Sequence, residues 1–402
     1  MSRNRYRRGR KSGFSKFLMC LLLAIIAILL IKNQSSGPVE DPEIDQNGYD
    51  AICFVTGNVA NSPAPDFSSA DNQIKDVIAN TESGETPQLC MFSATANPYA
   101  IELKGLEPKG SNQGAIENAK EALVSAVNKA ATTSPSEPGA NYYEAILKAA
   151  SYLNSYNAKH PLIIVYGSGL SDTGNINFAF DNLLNKDDKY INNTLALTNL
   201  KKDGYSNISL DWYGVGQVTR GGNQTQLSTN WQNKVQGIYK TALGYVGINN
   251  PSFKDTKVSD NTQSVVTIYS VNPTIIPGEL KPGYKLSLNG NIARFNPDLA
   301  TLKNYDEVKT TLTEFAKEFN STPSIGLKIT GYQTVCGTSK GLSIDRATTI
   351  RDILVKELNV DAARITIDGV AGPQDNRTED PRCGETGVAV EHRTVIIEVV
   401  EK

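Results

Sequence analysis

The sequence is poor in the residues that build metal centres and catalytic triads. Among its 402 residues there are two histidines and five cysteines. His160 and His392 stand alone, with no cysteine or carboxylate at ligand spacing. Zinc sites and His-dependent triads need such clusters, and the chain also offers no catalytic carboxylate pair or Cys-His couple. The sequence therefore predicts no metal, no cofactor and no enzymatic activity.

Long apolar runs are equally scarce, and one of them indicates that the protein is attached to a membrane. The stretch from Phe17 to Ile31 contains no charged side chain and is bracketed by Lys16 and Lys32. As a helix it spans about 22 Å, which is short of a hydrocarbon core of about 30 Å, so the two lysines must snorkel. We expect a single transmembrane helix over residues 17–31, with the membrane as its partner.

The residues before this run set the orientation. Residues 1–16 form a basic arm of seven lysines and arginines without an acidic residue. The positive-inside rule predicts a cytoplasmic N-terminus and extracytoplasmic residues after Ile31, with the arm against anionic lipid headgroups. A cleaved signal peptide is the alternative, but the following sequence, IKNQSSG, lacks a small-x-small cleavage site.

Charge argues against nucleic acid as a partner. The whole chain carries a formal net charge of −2. The seven basic residues of the arm and Lys32 account for eight positive charges, so residues 33–402 carry a net charge of −10. An acidic exported portion repels the phosphate backbone.

Four cysteines follow the apolar run, which permits disulfides in an exported protein. We predict that Cys336 pairs with Cys383, because both lie in loop-like sequence of one predicted domain. Cys53 and Cys90 both lie in predicted strands, where two buried thiols and a disulfide are equally compatible with the sequence.

After a polar linker over residues 32–49, residues 50–246 alternate between strand and helix patterns. Pro161 to Tyr166 is continuously apolar, as expected of a central strand covered on both faces. Apolar residues recur at helical spacing from Ile116 to Ala130 and from Ala145 to Leu153. The alternation predicts a mainly parallel sheet with right-handed crossovers, and the segment from Gln88 to Leu103 predicts an antiparallel hairpin at its edge.

This order and spacing resemble the von Willebrand factor A-type fold. That family usually holds a metal with three loops at the carboxyl ends of its strands. Here the three loops carry Thr56-Gly57, Gly139-Ala140-Asn141 and Tyr166-Gly167-Ser168-Gly169. They supply hydroxyls, amides and Asp172, whereas a hard divalent cation needs several oxygen ligands, usually carboxylates. We expect a metal-free version of the fold, whose surface is available to a protein partner.

A proline-punctuated connecting segment over residues 247–281 leads to a smaller domain over residues 282–402. Its patterns predict strands from Leu286 to Phe295, from Gly326 to Thr330, at Ile365 to Ile367 and from Val395 to Val400. Two helical patterns lie between them, and the whole predicts a βαβαββ unit.

This unit resembles the OmpA-like, peptidoglycan-associated domain. The resemblance rests on the run Leu342-Ser343-Ile344-Asp345-Arg346-Ala347, which fits the family's Leu-Ser-x-x-Arg-Ala, and on His392-Arg393-Thr394-Val395 near the last strand. It implies that Arg346 binds the carboxylate of diaminopimelate in a wall stem peptide. The family's Asp partner is replaced, because Gly331-Tyr332-Gln333-Thr334 stands at the place of Gly-His-Thr-Asp.

The candidate peptidoglycan contacts are therefore Arg346, Thr334, Gln333 and Arg393. For Arg346 a ligand role and a structural ion pair are both open, and for Arg393 a structural role is the favoured alternative. The sequence predicts an α/β protein of the bacterial cell envelope that links membrane to wall by non-catalytic peptidoglycan binding. The alternative is a membrane-anchored protein–protein interaction module that does not bind peptidoglycan.

Overall fold

The computed structural model describes residues 48–103, 112–131, 137–218, 224–256, 271–290, 292–333, 340–371 and 394–402. The predicted membrane segment over residues 17–31 and the predicted Cys336–Cys383 pair lie outside these ranges. Within them, no helix combines the length and the apolar character needed to cross a bilayer.

The first half of the described chain is built on a six-stranded sheet in the order β3-β2-β1-β4-β5-β6. Its strands are β1 (Ala51–Thr56), β2 (Gln88–Ser93), β3 (Tyr99–Ile101), β4 (Pro161–Tyr166), β5 (Ser209–Tyr213) and β6 (Ser252–Lys254). All neighbours run parallel except β3, which is antiparallel to β2. The prediction of a mainly parallel sheet with an antiparallel edge is confirmed. β6 carries the sheet past residue 246 into the predicted connecting segment.

Helices cover both faces of this sheet. One face packs against α1 (Asp71–Asn80) and α2 (Gln113–Ala131), and the other against α3 (Tyr142–Ser155), α4 (Asp188–Ala196) and α5 (Thr229–Tyr245). Between β4 and Leu200 the chain is α-helical only over α4. The chain before α4 forms loops and a 3-10 turn over Leu183–Asn185.

Cys53 and Cys90 form a disulfide across the core of this half. They are direct partners on the parallel strands β1 and β2, with their Cα atoms 4.7 Å apart. The sequence leaves open two buried thiols or a disulfide, and the structure contains the disulfide.

The second half holds a four-stranded sheet in the order β7-β10-β8-β9, with two helices on it. Its elements are β7 (Lys285–Leu288), α6 (Tyr305–Asn320), β8 (Ile325–Gly331), α7 (Lys340–Asp352), a π turn (Ile353–Glu357), β9 (Ile365–Gly369) and β10 (Val395–Glu401). The predicted βαβαββ order is confirmed. The strand predicted from Leu286 to Phe295 is wrong beyond Leu288, because the chain turns at Asn289, whose carbonyl accepts the N–H groups of Ile292 and Ala293.

The two halves share apolar packing. Ala179 and Phe180, from the loop after β4, belong to the core of the four-stranded sheet together with Ile275 and Leu280. The described part of the connecting segment therefore contributes to this core, since Ile275 and Leu280 are buried in it.

Candidate functional site

Arg346 lies in the middle of α7, and its side chain is buried. It is 2% exposed, whereas its neighbour Asp345 is exposed, because successive residues of a helix point in different directions. Its guanidinium lies over the ring of Phe295, 5.2 Å from the centroid, and its Nε donates to the carbonyl oxygen of Leu299 at 3.3 Å. The cation is thus held between an aromatic face and a backbone carbonyl.

The turn over residues 296–301 supplies that carbonyl, and it is fastened at two points. Asn296 donates its backbone N–H to the carbonyl of Thr301 at 2.8 Å. Thr349, one helical turn after Arg346, donates its hydroxyl to the carbonyl of Ala300 at 2.9 Å. The first bond closes the turn, and the second attaches it to α7 beside Arg346. Leu299 at its tip is 54% exposed.

The carboxyl end of β8 meets the same helix. Gly331 packs so closely on α7 that a Cβ at this position would collide with the carbonyl oxygen of Ser343. Ser343 in turn donates its hydroxyl to the carbonyl of Val370, just beyond β9, at 2.9 Å. Within the Leu-Ser-x-x-Arg-Ala run, Ser343 therefore attaches α7 to the chain after β9, and Arg346, three residues later, carries the positive charge.

Gln333 follows β8 by two residues and is 4% exposed. Its Nε2 has no hydrogen-bond partner within the described parts of the chain. A buried donor without an acceptor costs about 1–3 kcal/mol. Gln333 therefore offers an amide donor that a bound acceptor would satisfy. The other candidates, Thr334 and Arg393, fall outside the described residues.

The carboxyl edge of the six-stranded sheet is packed with buried polar groups. Tyr142 donates to or accepts from the Ser62 hydroxyl at 2.9 Å, and Ser62 accepts the backbone N–H of Ser168 at 3.0 Å. Burial raises the pKa of Tyr142 to about 12. Across the described ranges no group of three or more His, Cys, Asp or Glu side chains is arranged to hold a metal. The absence of a metal remains a prediction from the loop sequences.

Asp172, the carboxylate of these loops, is 3% exposed and bound by three N–H groups. Its Oδ1 accepts from the backbone of Ala140 at 2.8 Å, and its Oδ2 accepts from the backbone and side chain of Asn272 at 2.9 and 3.1 Å. Burial raises its pKa to about 6, and the hydrogen bonds oppose part of that rise. Sequence analysis missed Asn272. Its one local signal is Pro273, which favours an extended conformation for the residue before it.

No family model matches the chain. It is 30% identical over 127 residues to the outer membrane protein Omp38 of Acinetobacter baumannii, which covers 29% of this chain and 34% of the relative. The chain thus spans about a third of the length of the curated relatives that it matches.

Two solved structures are similar to parts of the chain. The OmpA-like domain of FopA1 from Francisella tularensis has 22% sequence identity and a TM-score of 0.21, covering 29% of this chain and 72% of that domain. The peptidoglycan-associated lipoprotein of Burkholderia pseudomallei has 20% identity and a TM-score of 0.23, covering 27% of this chain and 87% of that one.

Proposed function

We propose that the protein is a non-enzymatic component of the cell envelope that links the membrane to the wall by binding peptidoglycan through its C-terminal half. The observation that carries this proposal is the buried Arg346 guanidinium, which α7 and the 296–301 turn hold in place within the Leu-Ser-x-x-Arg-Ala run. A planar guanidinium binds a carboxylate through two parallel hydrogen bonds, which suits the carboxylates of wall stem peptides.

Three further groups belong to the proposed site. The Gln333 amide supplies a donor that has no acceptor among the described residues, and Thr334 and Arg393 are assigned from the sequence resemblance. All four side chains donate hydrogen bonds, so the proposed ligand presents acceptors, with a carboxylate at Arg346.

Two observations support an envelope location. The Cys53–Cys90 disulfide suits an oxidising, extracytoplasmic compartment. The similarity to an outer membrane protein agrees with this. In the proposal residues 17–31 anchor the chain, the N-terminus is cytoplasmic, and residues 50–246 form a metal-free A-type domain with a protein partner.

The second candidate is a membrane-anchored interaction module that does not bind peptidoglycan. The replacement of the family's Asp favours this alternative, because Gly331-Tyr332-Gln333-Thr334 provides no carboxylate to bind the ammonium of diaminopimelate.

Cosedimentation of the full chain, in detergent, with purified peptidoglycan separates the two. We expect the intact protein to pellet with the wall and Arg346→Lys to lose most of that binding, because an ammonium cannot form the bidentate contact. Arg351→Lys, at a half-exposed position on the same helix, is the matched control and should bind normally. Thermal melting establishes that each variant is folded. No binding by the intact protein would select the interaction module.

A further inference from the structure

The parallel strands of the six-stranded sheet begin at one edge, the amino edge, where several loops meet. The loops that precede β1, β4, β5 and β6 comprise residues 48–50, 156–160, 197–208 and 246–251. Asn154, in the last turn of α3, donates its Nδ2 to the carbonyl of Gly204 at 3.3 Å, and the backbone N–H of Tyr205 donates to the carbonyl of Val246 at 2.9 Å. The end of α3 and the loops before β5 and β6 are therefore attached to one another.

Leu197, the first residue after α4, is 90% exposed, the highest value among the large apolar side chains of the described ranges. Its neighbours are held by the core. Leu195 is fully buried, Leu200 packs against the core, and the Thr198 hydroxyl donates to the carbonyl of Leu195 at 2.6 Å. Leu197 thus projects from an attached turn, and covering it with an apolar partner would remove its surface from water, which is favourable.

Tyrosine and lysine accompany Leu197 at this edge. Tyr156 is 47% exposed, and its ring centroid lies 4.7 Å from that of Tyr152. The three lysines of these loops are also exposed. Tyrosine is enriched at membrane–water interfaces, and lysine there extends its ammonium to the headgroups. We define the amino-edge patch as Tyr156, Lys159, Leu197, Lys201 and Lys202.

The charge of the patch is positive. Two acids lie in its loops, the exposed Asp203 and Asp50, whose carboxylate accepts two backbone N–H groups. Glu82 and Glu85 precede β2, and β1 lies between that strand and β4. The three lysines therefore outnumber the acids of the patch, although residues 33–402 as a whole carry a net charge of −10.

The chain enters the first half at the same edge. The Asp50 carboxylate accepts the backbone N–H groups of Lys159 and His160 at 2.7 and 3.0 Å, which attaches the start of the sheet to the patch. Residues 32–49 join this point to the apolar run over residues 17–31 and can span at most about 60 Å. With that run as the anchor of the proposed function, the patch stays near the bilayer, so that a weak affinity is enough for contact.

The second half is attached at the opposite edge. Asp172, in the loop after β4, accepts two N–H groups of Asn272 at 2.9 and 3.1 Å, and Asn272 donates its Nδ2 to the carbonyl of Ser287 on β7 at 3.0 Å. Strands of this length place the two edges about 20 Å apart. A bilayer at the amino edge therefore leaves the second half on the side away from the membrane.

We propose that the amino-edge patch docks on an anionic bilayer, with Leu197 among the acyl chains and the lysines against the headgroup phosphates. The proposal rests on the anchor of the proposed function and does not require peptidoglycan binding. Docking orients the molecule, because the first half then lies against the membrane and the second half points toward the wall.

Fluorescence quenching in vesicles tests the docking. In the full chain Cys20, Cys336 and Cys383 are replaced by serine, and Asn199→Cys, at an exposed position two residues after Leu197, carries an environment-sensitive fluorophore. The vesicles contain equal parts of phosphatidylcholine and phosphatidylglycerol, with bromine on the acyl chains as the quencher. We expect the protein that floats with the vesicles to show blue-shifted and quenched emission.

Leu197→Ser should lower the ratio of docked to undocked protein about tenfold, because the buried apolar surface is lost. Leu299→Ser, at an exposed leucine of the second half, is the matched control and should leave the ratio unchanged. Lys202→Gln and vesicles of phosphatidylcholine alone should each weaken docking severalfold, whereas Lys303→Gln, at an exposed lysine of the second half, should not.

Protein that floats with the vesicles but shows no quenching would refute the docking and leave the anchor standing. Equal quenching in the intact protein and Leu197→Ser would refute it as well. Protein that fails to float would refute the anchor and this proposal with it, while peptidoglycan binding is measured separately by cosedimentation. Thermal melting in detergent establishes that each variant is folded.

Discussion

The Tyr142 hydroxyl lies directly against Gly57, in the space that any side chain at residue 57 would occupy. Gly167, at the end of the neighbouring strand β4, faces the same ring. Glycine is therefore required at residue 57 by close packing. The side chain that fills this space is Tyr142 of α3, whereas the residues that follow β1 and β4 are glycines.

Gly57→Ala should lower the free energy of unfolding by about 2–3 kcal/mol, because the new methyl group must displace the buried Tyr142 ring. Gly237→Ala is the control, since a Cβ at that helical position meets nothing within 4 Å and should stabilise by up to about 1 kcal/mol. Urea denaturation measures both. Equal midpoints for Gly57→Ala and the parent protein would mean that Tyr142 is not fixed where the structure has it.

Reduction of the Cys53–Cys90 bond should cost about 3–4 kcal/mol, because the bond closes a loop between residues 37 apart and limits the unfolded chain. The measurement is denaturation with and without a reductant, in a protein in which Cys336 and Cys383 are serine. Alkylation of Cys53 and Cys90 in the unfolded, unreduced protein would contradict the bond.

Arg364→Lys should destabilise the second half by about 2–3 kcal/mol. The guanidinium donates to the carbonyls of Ile325, Phe319 and Thr322 at 3.0, 3.1 and 2.6 Å and lies 3.7 Å from the centroid of the Phe319 ring, a geometry that an ammonium cannot reproduce. Arg351→Lys, whose partner is the neighbouring Asp352, should change stability by less than about 0.5 kcal/mol. Thermal melting that fails to distinguish the two variants would refute this role.

Asp181→Asn should stabilise the protein at about pH 7.5 by about 1–2 kcal/mol and have little effect at about pH 4. Burial raises the pKa of Asp181 to about 6, so the carboxyl stabilises the fold when protonated and loses that contribution as pH rises. Urea titrations at the two pH values measure the difference. A larger gain in acid than at neutral pH would show that the electrostatic attraction of Lys186 outweighs burial.

The regular elements were predictable because their signals are local. The spacing from Ile116 to Ala130 predicted α2, and the continuous run from Pro161 to Tyr166 predicted β4. The Leu-Ser-x-x-Arg-Ala run likewise led to Arg346 as a candidate, and the structure places it at a buried position.

What the sequence did not predict depends on contacts distant along the chain. β6 is three residues long and exists because it pairs with β5. Asn272 has no periodic pattern around it, and its importance comes from Asp172, 100 residues earlier. The packing of Tyr142 against Gly57 likewise joins residues that are far apart in the sequence, so no local pattern predicts it.

The strand order of the second sheet has a consequence for biosynthesis. β10, which is made last, lies between β7 and β8 and pairs with both. Until residues 395–401 have left the ribosome, β7 and β8 each present an unpaired edge that invites pairing with other chains. The second sheet is therefore completed only once β10 has been synthesised. A nascent chain stalled before Val395 should need a chaperone to stay soluble.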